Sequence, residues 1–180
     1  MPAYYFDLEV TSLNPAYGKI ITIQYQPIDI ETGDPLGELT ILKEWESSEK
    51  EILRKFIPIF MGTKPFDFIP VGMNLSFDFN FLRFRTLLNL GEVIDINWLF
   101  LGPHLDIKPI IVMMNKGKFK GASLNLFSEK ELDPSKIPLW YEYREYDKII
   151  EYIKQEAQAF LKLYKTLAEE LPNIRRKLTV

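Results

Sequence analysis

The chain contains no cysteine, so disulfides, thiolate metal sites and a cysteine nucleophile are all excluded. A single histidine, His104, rules out a zinc site built from several imidazoles. Any bound metal must therefore rely on oxygen ligands, which favour magnesium, manganese or calcium. No apolar run approaches the roughly 18 uncharged residues of a membrane-spanning helix, because charges or prolines interrupt the hydrophobic residues every few positions. Basic charge is not in excess either: 22 lysines and arginines against 25 aspartates and glutamates leave a net charge of −3, which offers polyanions no general attraction. The amino terminus, Met-Pro-Ala-Tyr-Tyr-Phe-Asp, lacks the basic and apolar regions of a secretory signal, so a cytoplasmic location is expected.

What is present suffices for one core. With 180 residues, 47% of them hydrophobic, a single domain over residues 1–180 is expected, ending in a basic tail over 173–180 that contains Arg175-Arg176-Lys177. Abundant lysine and glutamate, twelve prolines and the absence of cysteine fit a thermophilic source.

Strand patterns cover Ala3 to Val10, Lys19 to Ile30 and Leu36 to Trp45, separated by turns at residues 12–18 and 31–35, which predicts an opening antiparallel meander. A capping box at Ser48-Glu49-Lys50-Glu51 opens a helix to about Phe60, with Pro58 expected to kink or end it early. A short strand over Phe68 to Val71 then turns into a helix whose Phe77, Phe81, Phe84, Leu87 and Leu88 share a face. Further helices are expected over Leu105 to Met114 and Ala122 to Leu132, with a basic loop over residues 115–121 between them. After a loop at 133–138, one long helix is predicted from Tyr143 to Leu171, stopped by Pro172, with Ile149, Ile153, Phe160, Leu161, Tyr164 and Leu167 toward the core. Strands first, then strands mixed with helices, give an α/β fold with a mixed sheet covered by helices.

Asp7 and Glu9 stand two apart on the first strand, so both carboxylates leave the same face. On an otherwise aromatic and aliphatic strand they repel each other and resist desolvation unless they reach solvent or meet a cation. Asp78 opens the second helix in Asn74-Leu75-Ser76-Phe77-Asp78, where an acid also serves as a dipole partner. Asp147 follows Tyr143 by four residues, which puts the two on one face of the predicted last helix. His104, followed by Leu105-Asp106, reads as a local cap or hydrogen-bond partner, with Asp106 as its mate or as an acid opening the next helix.

Taken in order, Asp-x-Glu on the first strand, Asn-x-x-x-Asp at a strand-to-helix turn and Tyr-x-x-x-Asp opening the last helix resemble the three motifs of the DEDD family of 3′–5′ exonucleases. The resemblance runs from Phe6 to Asp147 and is to the tyrosine branch, because His104 has Pro109 five residues on in place of an acid. One departure lies in the first motif, where Val10-Thr11-Ser12-Leu13 stands in place of the family's usual Thr-Thr-Gly-Leu.

The resemblance implies a ribonuclease H-like fold and two magnesium ions, replaceable by manganese, held by Asp7, Glu9, Asp78 and Asp147, with Tyr143 orienting the attacking water. It implies release of 5′-mononucleotides from a 3′ end, with Thr11, Leu13, Asn74 and Phe77 near the terminal nucleotide. Lys116, Lys118 and Lys120 around Phe119 form the best phosphate-binding patch of the sequence. Small archaeal exonucleases of this kind act on single-stranded DNA, and some assemble into rings, so DNA is expected over RNA and a homo-oligomer such as a trimer is implied. An RNA-trimming enzyme of the same superfamily and a non-cutting nucleic-acid-binding subunit are the alternatives.

Overall fold

The computed structural model describes residues 2–64, 66–126 and 133–178. Strand β1 (Ala3–Val10) lies at the centre of a five-stranded mixed sheet of order β3-β2-β1-β4-β5. On one side it pairs antiparallel with β2 (Ile20–Ile28), which pairs antiparallel with β3 (Thr40–Lys43), giving the expected meander. On the other side it pairs parallel with β4 (Ile69–Gly72), and β4 pairs parallel with β5 (Leu105–Asp106). Parallel pairs need crossovers, supplied by α1 (Glu49–Met61) before β4 and by α2 (Leu75–Leu90) and α3 (Ile96–Leu101) before β5. The expected α/β class, a mixed sheet flanked by helices, is therefore observed.

Alternation along β1 sorts its side chains into two layers. Phe6 and Leu8 point into an aromatic layer with Phe56 and Phe60 of α1 and Phe79 and Leu82 of α2, in which the Phe6 and Phe56 rings stack 5.4 Å apart. Ala3 and Tyr5 face the opposite layer, formed with α4 (Lys108–Met114) and the long α6 (Tyr146–Leu178) through Ile111, Ile153, Phe160 and Leu163. Burying each such aromatic or aliphatic side chain contributes about 1.5–3 kcal/mol. Asp7 and Glu9 continue the Ala3–Tyr5 row and so arrive at the α6 side of the sheet.

Several boundaries differ from expectation. Helix α1 starts as the capping box predicts, with Ser48 Oγ accepting from the Glu51 amide at 3.2 Å, but it continues through Pro58 to Met61. Strand β3 is shorter than Leu36 to Trp45, because Glu44–Glu46 turn into a 3-10 helix. Helix α2 buries Leu75, Asp78, Phe79, Leu82 and Thr86 together with Phe81 of the expected core face, whereas Phe84, Leu87 and Leu88 of that face are exposed. The helix predicted over Leu105 to Met114 begins at Lys108, because Leu105 and Asp106 pair with β4. Of Ala122 to Leu132, Leu124–Leu126 form a 3-10 turn and residues 127–132 lie outside the described residues.

The largest correction concerns the end of the chain. Residues Ile137–Glu142 form a separate helix, α5, whose C-cap is Tyr143. Arg144 adopts a left-handed conformation at φ 57°, the Glu145 amide donates to the Trp140 carbonyl at 2.8 Å and the Arg144 amide to Tyr141 at 3.1 Å. This is a Schellman closure, and it breaks the helix that was expected to run unbroken from Tyr143. The following helix, α6, passes through Pro172 and ends at Leu178, so residues 173–178 of the expected tail are helical. The Tyr141 hydroxyl donates to Glu44 Oε2, and the Trp45 and Tyr146 rings stack 4.6 Å apart, fastening α5 and the start of α6 to the end of β3.

Candidate active site

At the end of β1 the register shifts between Glu9 and Val10, a bulge of the kind that re-aims side chains beside functional sites. Asp7 lies opposite Gln24 and Glu9 opposite Thr22 on β2. From the other side of the cleft, α6 brings Glu156: Asp7, Glu9 and Glu156 each offer a carboxylate oxygen, and these oxygens lie within 4.8 Å of one another. Asp78, 3% exposed in the first turn of α2, lines the same cleft.

Four acids drawn together, Glu9 and Asp78 buried and Asp7 and Glu156 partly exposed, disfavour their own ionisation. Burial lifts the Asp7 carboxyl to about 6, opposed by the hydrogen bond from Gln24. Burial, and then the charge of Asp7, pushes Glu156 up to about 8. Glu9 is held well above the ordinary carboxylate range by burial and then by the charges of Glu156 and Asp7, and Asp78 by burial and then by Asp7. Glu9 Oε1 and the Tyr5 hydroxyl are buried with no hydrogen-bond partner among the described residues. An orphaned carboxylate oxygen in an all-oxygen cluster is what a hard divalent cation satisfies, so these residues fit magnesium or manganese.

The cleft has a volume of about 500 Å³ and apolar walls from Leu8, Val10, Leu13, Met73, Phe77, Pro138 and Tyr152. No lysine or arginine is among the described residues that line it. Asn74 stands at its edge in a left-handed conformation, φ 67° and ψ 40°, with no side-chain capping bond. Asp106 holds that turn, accepting from the Asn74 amide at 2.8 Å and the Leu75 amide at 3.0 Å. The loop carrying Leu13 is pinned from below: buried Glu49 binds Arg85 Nε at 2.8 Å and the Ile20 amide at 2.7 Å, and Arg85 Nη1 donates to the Pro15 carbonyl at 3.2 Å. Its close requires Gly18, where a Cβ would lie 2.8 Å from the Ser12 carbonyl oxygen. Leu13 itself is 84% exposed at the cleft mouth.

The sequence-predicted residues separate into two groups. Asp7, Glu9, Leu13, Asn74, Phe77 and Asp78 meet at the cleft. Asp147 and Tyr143 do not: Asp147 lines a different hollow, with Trp140, Lys148 and Glu151, and Tyr143 is 68% exposed beyond the end of α5. At the cleft α6 presents Glu156 and Tyr152, four residues apart on one face. The sequence carries a signal for this, because Glu156 interrupts the apolar stripe of Ile149, Ile153, Phe160, Leu163 and Leu167, whereas Asp147 lies off it.

Thr11 closes the base of its loop, its Oγ1 accepting from the Lys19 amide at 3.0 Å, while the adjacent Ser12 lines the cleft. Lys116, Lys118, Phe119 and Lys120 do not line the cleft; they form an exposed turn after α4, tied by Asn115 Nδ2 to the Lys118 and Lys120 carbonyls at 2.6 and 3.1 Å. His104 makes the expected local contact, Nδ1 lying 2.9 Å from the Gly102 carbonyl oxygen, and Asp106 serves the α2 and α4 starts instead of the imidazole. No helix among the described residues is long and apolar enough to cross a membrane.

No protein-family model matches the sequence. An uncharacterized protein of Methanocaldococcus jannaschii is 24% identical over 181 residues, covering 91% of this chain and 93% of that protein. Among solved structures, Escherichia coli exonuclease I in complex with a dT13 oligonucleotide superimposes with a TM-score of 0.66 at 12% identity, over 98% of this chain and 43% of that one. The zinc-bound exonuclease I–single-stranded DNA complex gives a TM-score of 0.67 at 12% identity, over 98% and 42%. A moderately thermophilic exonuclease I from Methylocaldum szegediense gives 0.50 at 16% identity, over 67% and 30%. The chain thus spans less than half the length of these exonucleases, and with them it shares a ribonuclease H-like α/β fold.

Proposed function

We propose that this protein is a divalent-metal-dependent 3′–5′ exonuclease that removes 5′-mononucleotides from single-stranded DNA. The observation that carries this reading is the meeting of Asp7, Glu9 and Glu156 within 4.8 Å, with Glu9 Oε1 buried and unpartnered among the described residues, at the floor of an apolar cleft. Asp7, Glu9 and Glu156 would hold one magnesium or manganese ion, and Asp78 with Asp7 a second. Such ions, when bound, supply Lewis-acid stabilisation of phosphoryl oxygens and acidify water.

The chain's own groups do the rest. Burial and then the charges of Glu156 and Glu9 raise the Tyr152 hydroxyl above its ordinary range, so it stays protonated beside Glu156, where it can orient the attacking water. Leu13, Phe77, Val10 and Met73 offer the terminal base an apolar, sequence-tolerant seat and exclude water from the scissile bond. Asn74, whose side chain is not spent on capping α2, is available to the sugar or phosphate. With no basic residue lining the cleft, a phosphodiester is admitted only once the acids are neutralised, which makes substrate binding itself metal-dependent. Single-stranded DNA is the favoured polymer because exonuclease I structures of this fold hold a dT13 oligonucleotide.

The test is digestion of matched 3′-labelled single-stranded DNA, duplex DNA and RNA with magnesium, manganese or chelator. Release of labelled mononucleotide from the single DNA strand, abolished by chelator, is expected. Metal-independent release, or internal cuts only, would overturn the reading, and preference for RNA would reassign the polymer.

A further inference from the structure

The α6-facing row of β2 carries three polar residues, of which Gln26 is partly exposed and donates to the Gly37 carbonyl at 2.8 Å, whereas Thr22 and Gln24 are both 0% exposed. Leaving polar side chains there costs free energy unless each is hydrogen-bonded. Both are: Thr22 Oγ1 donates to Gln24 Oε1 at 2.9 Å, and Gln24 Nε2 donates to Asp7 Oδ2 at 2.7 Å. The sheet register places Gln24 opposite Asp7 and Thr22 opposite Glu9, so the pair lies directly across from the acids. An amide can be placed either way round, but the reverse orientation would set Oε1 against a carboxylate oxygen, two acceptors with no proton between them. Donation from the Thr22 hydroxyl then completes the chain.

From this geometry we infer that Thr22 and Gln24 form a buried relay that fixes the rotation of the Asp7 carboxylate and so pre-organises the cluster for a divalent cation, both acting as positioning residues. This rests on the metal-site reading above. Partners behind a ligand carboxylate raise metal affinity by holding the ligand in its bound orientation, and losing one typically weakens binding about 10–100-fold. The relay matters more here because Glu9 and Glu156 repel Asp7 whenever the three are ionised without a cation.

The test uses near-isosteric replacements that remove the hydrogen bonds and keep the volume: Gln24→Met and Thr22→Val, with Thr22→Ser retaining the hydroxyl. Binding of Mn2+ alone is followed by the electron paramagnetic resonance of the free ion, and the fold by the thermal midpoint in chelator. Expected are an approximately 10-fold weaker Mn2+ affinity in Gln24→Met, a smaller loss in Thr22→Val, and parental affinity in Thr22→Ser. Each apolar replacement leaves a buried partner unsatisfied, so the chelated midpoints should fall by a few degrees while unfolding stays cooperative, and Thr22→Ser should keep the parental midpoint. Parental Mn2+ affinity in both Gln24→Met and Thr22→Val, with the parent binding normally, would overturn the relay alone. Failure of the parent to bind Mn2+ would overturn the metal-site reading beneath it.

Discussion

Asp147 and Glu156 leave opposite sides of α6, and only Glu156 reaches Asp7 and Glu9. Nine residues separate them, about two and a half helical turns and roughly 13 Å along the axis. The same half-turn offset gives Glu156, not Asp147, a tyrosine that looks into the cleft.

That tyrosine is Tyr152, and its replacement by phenylalanine should isolate the hydroxyl. Tyr152→Phe is expected to lower kcat about 100-fold on 3′-labelled single-stranded DNA while leaving Mn2+ affinity near that of the parent. Tyr143→Phe, at an exposed position, should leave kcat unchanged. Equal loss in the two variants would remove Tyr152 from its role.

The acidic cluster also predicts how stability depends on pH. Asp7 is raised to about 6 and Glu156 to about 8, so without metal the folded state holds protons that the unfolded chain has already released. Groups with raised folded values contribute stability that is complete below the unfolded values and is lost as pH rises through the folded ones. In chelator the thermal midpoint should therefore fall by roughly 5–10 °C between pH 5 and pH 9. Saturating magnesium should remove most of that fall by binding the ionised native site. A chelated midpoint that is flat or rises over this window would contradict the cluster's electrostatics.

Much of this arrangement is legible in the sequence, and the failures have local causes. Asp7 and Glu9 declare a shared face by their spacing, and the strand-turn-helix around Asp78 is correct in type and place. The break before α6 is hidden because its left-handed residue is Arg144, where a glycine or asparagine would have marked a helix end. Helix α2 is apolar on nearly every side, so the expected stripe of Phe77, Phe81, Phe84, Leu87 and Leu88, of which Phe81 is buried, competes with the buried stripe of Leu75, Asp78, Phe79 and Leu82. The true stripe is disguised by its own acid, as it is at Glu156. An acid on an apolar helical stripe was the usable signal in both helices. Where the lysine turn around Phe119 lies relative to the cleft is a tertiary fact that spacing does not encode.

The turn that presents Asn74 should be sensitive to its support. Asp106 accepts from the amides of Asn74, Leu75 and Lys108, and Asp106→Ala leaves those donors uncapped at about 1–2 kcal/mol. The thermal midpoint should drop by several degrees, with part of the loss restored in Asp106→Asn. A midpoint in Asp106→Ala equal to the parent's would show that the left-handed Asn74 turn stands without it.

The assignment of the fourth carboxylate decides the account. Glu156→Gln and Asp147→Asn should be compared for manganese-dependent release of the labelled 3′ nucleotide from single-stranded DNA. A loss of at least about 100-fold in Glu156→Gln, with Asp147→Asn within about twofold of the parent, is the predicted result. Activity that survives in Glu156→Gln and is lost in Asp147→Asn would contradict it.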